Sequence, residues 1–168
     1  MSISTIGILS DTHGLLRAEV LERLAGSDLI IHAGDIGDPE ILARLGTLAR
    51  VVAVKGNIDQ TKPLSELPAT ELVEAGMSLI YVLHNLEDLD LDPRAAEIDV
   101  VVSGHSHNPG VREKDGVLYL NPGSAGPRRF RLPISMASLD VRQKPARVKF
   151  FELADVGHST GGGVAMKR

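Results

Sequence analysis

From Ser4 to Val54 the chain reads STIGILSDTHGLLRAEVLERLAGSDLIIHAGDIGDPEILARLGTLARVVAV, and this stretch decides the fold. Short apolar runs at Ser4 to Ser10, Leu29 to Ala33 and Val51 to Val54 alternate with two segments of helical period. In the first, Leu15 to Leu24, the side chains of Leu16, Val20, Leu21 and Leu24 share one helical face. The second, Pro39 to Leu48, carries Pro in its first turn and Asp38 as N-cap. Short, continuously apolar strands between helices predict a parallel sheet covered on both faces, hence an α/β fold.

Working outward, Ser78 to Leu83 and Val100 to Ser103 read as further buried strands. Hairpin signals then take over. Val111 to Glu113 and Val117 to Leu120 flank Lys114-Asp115-Gly116, and Met136 to Val141 and Arg147 to Leu153 flank a polar turn with Pro145. The polar connection from Asn85 to Asp99 has room for a short helix at Arg94 to Glu97. Residues 1–154 thus predict one domain, and residues 155–168, with Gly161-Gly162-Gly163 and no core-facing pattern, a loose tail.

Composition narrows the function classes. With 168 residues, 43% hydrophobic and 24% charged, the chain reads as a globular domain with no membrane span and no export signal. Net charge is -4 and aromatics are 3%, which makes nucleic acid an improbable partner: there is no general attraction for phosphate backbones and little to stack bases on. Cysteine is absent, so thiolate nucleophiles and Cys-ligated zinc are excluded, and a reducing cytoplasm is the expected compartment.

The polar residues fall where strands end. Asp11 and His13 follow the first strand, Asp35 and Asp38 the second, Asn57 and Asp59 the third, His84 the fourth, His105 and His107 the fifth. In an open parallel sheet those carboxyl ends line one edge, where ligands bind. Singly, each cluster reads as an N-cap or a turn. Together, two aspartates, one amide and four histidines make a mixed O/N donor set suited to manganese first, and to iron, zinc, nickel or cobalt, but not to calcium. Seven donors exceed the needs of one tetrahedral ion and suit two ions sharing a carboxylate, the arrangement used for displacement at phosphorus.

The series Asp11-Thr12-His13, Gly34-Asp35-Ile36-Gly37-Asp38, Gly56-Asn57-Ile58-Asp59, His84 and Gly104-His105-Ser106-His107 resembles the calcineurin-like metallophosphoesterases in identity, order and spacing. Asn121-Pro122-Gly123-Ser124 followed by Pro127-Arg128 resembles the small YfcE-type phosphodiesterase subfamily, so that the resemblance covers residues 4–153. It implies a four-layer αββα sandwich of two mixed β-sheets flanked by helices, with a dimetal centre at the sheet edge. By motif position Asp11, His13, Asp35 and His107 would hold one ion, and Asp35, Asn57, His84 and His105 the other. The implied reaction is attack of metal-bound hydroxide on a small organic phosphate, a phosphodiester in preference to a monoester. Retromer-type relatives share the fold but work as protein-binding scaffolds with degraded metal sites, and here every ligand position is filled. Beyond the ligands, Asp38 and Asp59 are candidates to support ligands or loop amides, and Asp38 reads equally as a helix cap. Asn121, Gly123, Ser124 and Arg128 are candidates to meet substrate phosphate, whereas Arg129 and Arg131 read as solvated. A homo-oligomer is compatible with the sequence.

Two positions depart from the family pattern. Members commonly carry His-Gly-His where this chain has His84-Asn85-Leu86, and a His or Cys where it has Ile58. At the first the ligand His84 is kept and a neighbouring polar contact is lost; at the second Ile58 can neither donate a proton nor carry charge, so good leaving groups are expected to be hydrolysed more readily than poor alkoxides.

Overall fold

Period-2 alternation of branched apolar residues builds two five-stranded sheets that face each other. The computed structural model describes residues 2–155. The first sheet has β1 (Thr5–Leu9) at its centre, with β2 (Leu29–His32) and β3 (Arg50–Ala53) parallel to it on one side. On the other side, β9 (Ser135–Asp140) runs antiparallel to β1, and β10 (Arg147–Glu152) antiparallel to β9. The second sheet runs in the order β4 (Thr70–Ala75), β5 (Ser78–Leu83), β6 (Val100–Val102), β8 (Val117–Asn121), β7 (Gly110–Lys114), with β5, β6 and β8 parallel.

The main core lies between the sheets. Ile6, Ile8, Leu29 and Ile31 of the first sheet pack with Ile80, Val82, Val100, Val102 and Leu120 of the second, all at most 1% exposed. The intervening residues Leu9 and Ile30 point the other way, onto Val20 and Leu24 of α1 (Ala18–Leu24) and Ile41 and Leu45 of α2 (Pro39–Gly46). Glycine at position 7 is what lets α1 seat, because a Cβ there would overlap the Leu24 side chain. The outer face of the second sheet, with Tyr81, Leu83, Val101 and Val117, is covered by Leu86, Leu89, Leu91 and Ile98.

The α/β sandwich expected from the motif series is therefore present, and its fourth layer is made differently. The connection after β5 holds a single 3-10 turn, Leu86–Asp88, and the short helix expected at Arg94 to Glu97 is a turn. There Asp92 Oδ1 accepts from the amides of Arg94 and Ala95, and Glu97 at φ 58° ends the run. The first helix begins at Ala18 rather than Leu15, because the chain before it is not helical: Gly14 is left-handed at φ 83° and Arg17 is extended at φ -74°, ψ 143°. The edge strand β4 was hidden in the sequence, since only Val73 and Ala75 of its six residues are buried. Of the tail expected at 155–168, all but Asp155 lies outside the described residues. Among those described, no helix is long and apolar enough to cross a membrane.

Ile31 is fully buried between the sheets, whereas Leu72 on the outward face of β4 is 57% exposed. Urea unfolding is expected to show Ile31→Ala losing about 2–5 kcal/mol, and Leu72→Ala changing stability by at most about 0.5 kcal/mol.

Candidate metal centre

Seven side chains from five strand ends meet in the cleft between the two sheets. Asp11 and His13 follow β1, Asp35 follows β2 and Asn57 follows β3, while His84 follows β5 and His105 and His107 follow β6. The donors thus come from two facing sheets, three loops on one and two on the other, and not from the edge of one sheet as strand ends alone suggested. Five of the seven sit at left-handed φ: Asp11 at 57°, His13 at 45°, Asp35 at 56°, His105 at 68° and His107 at 60°. Such a conformation costs a non-glycine residue on the order of 1–2 kcal/mol, and its concentration at one place marks a site where geometry outranks local comfort.

Two groups of donors result. In one, His107 Nε2 lies 3.2 Å and His13 Nε2 3.7 Å from Asp11 Oδ1, and His13 Nε2 is 3.5 Å from Asp35 Oδ2. Asp11 Oδ1 and His13 Nε2 are buried and have no hydrogen-bond partner. In the other, His84 Nε2 is 3.0 Å from Asn57 Oδ1, 3.3 Å from His105 Nδ1 and 3.4 Å from Asp35 Oδ1, and His105 Nδ1 is 3.1 Å from Asn57 Oδ1. Asp35 faces both groups with different oxygens.

Proton accounting shows what the second group requires. Ala33 O, 2.7 Å from His84 Nδ1, can only accept, so Nδ1 carries a proton and neutral His84 presents a lone pair at Nε2. That lone pair meets the Asn57 carbonyl oxygen and an Asp35 carboxylate oxygen, and His105 Nδ1 beside them can bring at most one proton to the three. Lone pairs so placed repel unless a cation sits among them, and the carboxylate–imidazole chemistry fits a divalent transition metal. In the absence of such an ion the proton is the substitute. Burial pushes His84 down, but the Asp35 hydrogen bond, the Ala33 carbonyl and the charges of Asp35 and Asp11 outweigh it and raise its pKa. Burial likewise pushes Asp35 up, and is overcome by the hydrogen bonds from His84 and Ile58 N–H, which hold its carboxyl below the usual range. His107 is lowered, first by burial and then by the charges of Arg129 and His13 against the pull of Asp11.

Around the donors, other residues fix the loops. Asp59, buried, accepts from Ile36 N–H at 3.1 Å, Gly37 N–H at 3.1 Å and Gly56 N–H at 2.9 Å, tying the Asp35 loop to the Asn57 loop. Asp38 caps α2 by accepting from Glu40 N–H at 2.9 Å. Asn121 Nδ2 donates to Gly104 O at 2.9 Å, and Ser124 Oγ donates to Asp11 O at 2.9 Å. Of the amides in the Asn121 to Ser124 turn, that of Gly123 is taken by Asn121 Oδ1, and just beyond it Ala125 N–H donates to Ser10 O, so the turn also braces the donor loops. Arg128 lies 4.0 Å from Asp155 and lines a cavity with Arg17 and Leu15, away from the donors. Arg128, Arg129 and Arg131 are all exposed.

His32 escaped the sequence reading although a histidine closing an apolar strand was its signal. It is fully buried: Gly34 N–H donates to Nδ1, Nε2–H donates to Thr12 Oγ1 at 3.0 Å, and Thr12 donates on to Ile36 O. Burial first, then the positive charges of His84 and His13, against the pull of Asp35, hold it neutral with a pKa near 3.

Residues 5–144 match the model of the calcineurin-like phosphoesterase superfamily domain. The chain belongs to that superfamily. A probable metallophosphoesterase of Methanocaldococcus jannaschii is 39% identical over 153 residues, covering 83% of this chain and 77% of that one. The solved structure of YfcE, a phosphoesterase from E. coli, superposes with a TM-score of 0.65 at 27% identity over 81% of this chain and 88% of that one. Chaetomium thermophilum Vps29 superposes with a TM-score of 0.78, but at 18% identity, over 90% and 88% of the chains, and so shares the fold alone. Membership places this calcineurin-like chain among the hydrolases of phosphoric esters.

Three expectations follow from the geometry of this phosphoesterase site. Asp35→Asn should keep the fold and lose metal, whereas Asp59→Ala strands buried amides and should cost about 1–3 kcal/mol even without metal, as elemental analysis and thermal melts would register. Gly56→Ala would place a methyl group on Asp35 Oδ1 and should abolish metal retention. Because folded His32 refuses the proton that the unfolded chain accepts, its share of stability is complete above about pH 6.5 and falls away toward pH 3. Metal-free protein taken from pH 7 to pH 5 should therefore lose roughly 2 kcal/mol more than its His32→Gln variant in urea titrations.

Proposed function

We propose that this chain is a dinuclear metal-dependent phosphodiesterase acting on a small organic phosphate. The observation that supports it above others is the pair of donor groups joined by the two oxygens of Asp35. On this reading Asp11, His13, Asp35 and His107 hold one divalent ion, and Asp35, Asn57, His84 and His105 the other. Bound there, the ions supply a water of lowered pKa and positive charge for the phosphoryl oxygens, and manganese is the first candidate. His84 keeps its lone pair inward by donating Nδ1–H to Ala33 O. Asp11 braces the other sheet's loop by accepting from His105 N–H at 3.1 Å. Ile58, 42% exposed beside Asn57, offers no proton to a leaving group. A diester carries a single charge and makes the smaller demand on side-chain cations, which suits a site with none among its seven donors.

The scaffold reading draws only on the fold shared with Vps29. The two readings part in one experiment: elemental analysis of purified protein, then hydrolysis of bis(p-nitrophenyl) phosphate and of the monoester with added manganese. Two equivalents of transition metal with faster diester turnover is the expected outcome. Metal without turnover of either ester would favour the scaffold. Within the enzyme reading, His105→Ala should reduce occupancy of its ion and turnover while leaving the melting temperature of the metal-free protein unchanged.

A further inference from the structure

A cleft of about 540 Å³ opens beside His105 on the outer face of the second sheet. That volume lies within the roughly 300–1,000 Å³ common to small-molecule sites. Its walls include Leu86, Pro109, Val111, Arg112 and Tyr119. Arg112 and Tyr119 are opposite each other across the β7–β8 pair, and the guanidinium carbon stands 5.0 Å from the ring centroid. Ring and guanidinium form a cationic plate close to the donor cluster, since the donor His105 also lines this cleft. A second cleft, bordered by His84 and His105, is lined by Lys55, Tyr81, Asp88 and Asp90 and has no arginine stacked on a ring.

Of the two residues that depart from the superfamily pattern, Leu86 stands where a histidine is usual and adds apolar surface to this cleft. Ile58 lies outside the cleft, next to the donor Asn57, and has no proton to give. Both changes disfavour an alkoxide, which needs a proton to leave, and favour an oxygen that leaves as a stable anion.

We propose that the cleft bounded by Leu86, Val111, Arg112 and Tyr119 seats the leaving group, and that it selects flat, acidic hydroxyl compounds, so that the preferred substrates are aryl phosphodiesters. This rests on the phosphodiesterase reading. In the hydrolysis, a new P–O bond forms from water and the P–O bond to the aryl oxygen breaks. The aryloxide keeps the electron pair and the water proton passes to solvent. Tyr119 holds the ring by its face, and Arg112 faces the charge that grows on the departing oxygen.

The test compares bis(p-nitrophenyl) phosphate with methyl p-nitrophenyl phosphate, which share a leaving group and differ in the other arm. With manganese, Tyr119→Ala is expected to raise KM about tenfold on both substrates, with metal content unchanged, while Tyr119→Phe stays near wild type. Arg112→Gln is expected to lower kcat more than it raises KM. Separately, p-nitrophenol added to the metal-free chain should shift the NMR signals of the Tyr119 ring and leave those of Tyr81, in the other cleft, in place. An effect of Tyr119→Ala on the bis-aryl ester alone overturns the leaving-group assignment, as does an unchanged KM on both or a shift at Tyr81 instead of Tyr119. If wild type hydrolyses neither diester, the phosphodiesterase reading fails and this one with it. Diester turnover with no response at Tyr119 removes this one only.

Discussion

Seven lone-pair donors are held against one another with too few protons among them, and most of the surrounding structure serves to keep them there. A lone pair on His84 Nε2 facing the oxygens of Asn57 and Asp35 is an arrangement that water or loose loops would dissolve. It persists because each loop is tied to another: Asp59 binds three amides of two loops, and Asn121 and Ser124 brace two more. Left-handed backbone at five of the donors is the local cost of that convergence.

Much of this was legible in the sequence because the two kinds of residue are segregated. Apolar runs such as LIIHA at 29–33 and SLIYVL at 78–83 announce strands, and the polar residues that matter come just after them. Every donor that the motif order picked out lies in the cluster. What the sequence concealed depends on distant partners. The first helix starts late because Gly14 is tied to Ile36 of the next donor loop and the chain is extended at Arg17, a long-range constraint invisible to helical spacing. The edge strand at 70–75 escapes because an exposed Leu72 blurs its alternation. His32 reads as one more histidine until its two hydrogen bonds show that it is a neutral post between the first two donor loops.

In the turn Asn121 to Ser124 the Gly123 amide is taken by Asn121 Oδ1, so that part of the glycine-containing turn serves the cluster's own bracing. The side chains at the rim differ on the two sides of His105: Arg112 over Tyr119, with Glu87, on one, and Lys55 with Asp88 and Asp90 on the other.

Finally, the donors are divided between the sheets, three loops from one and two from the other, with Asp11, His105 and Asp35 spanning the seam. Ions bound there would act as rivets through a laminate. Any shear of one sheet over the other changes the ligand cage, and any loss of ions loosens the seam at one end. With the ions in place as proposed, the grip of the site and the mechanical coherence of the sandwich would be a single property, set where the two layers meet.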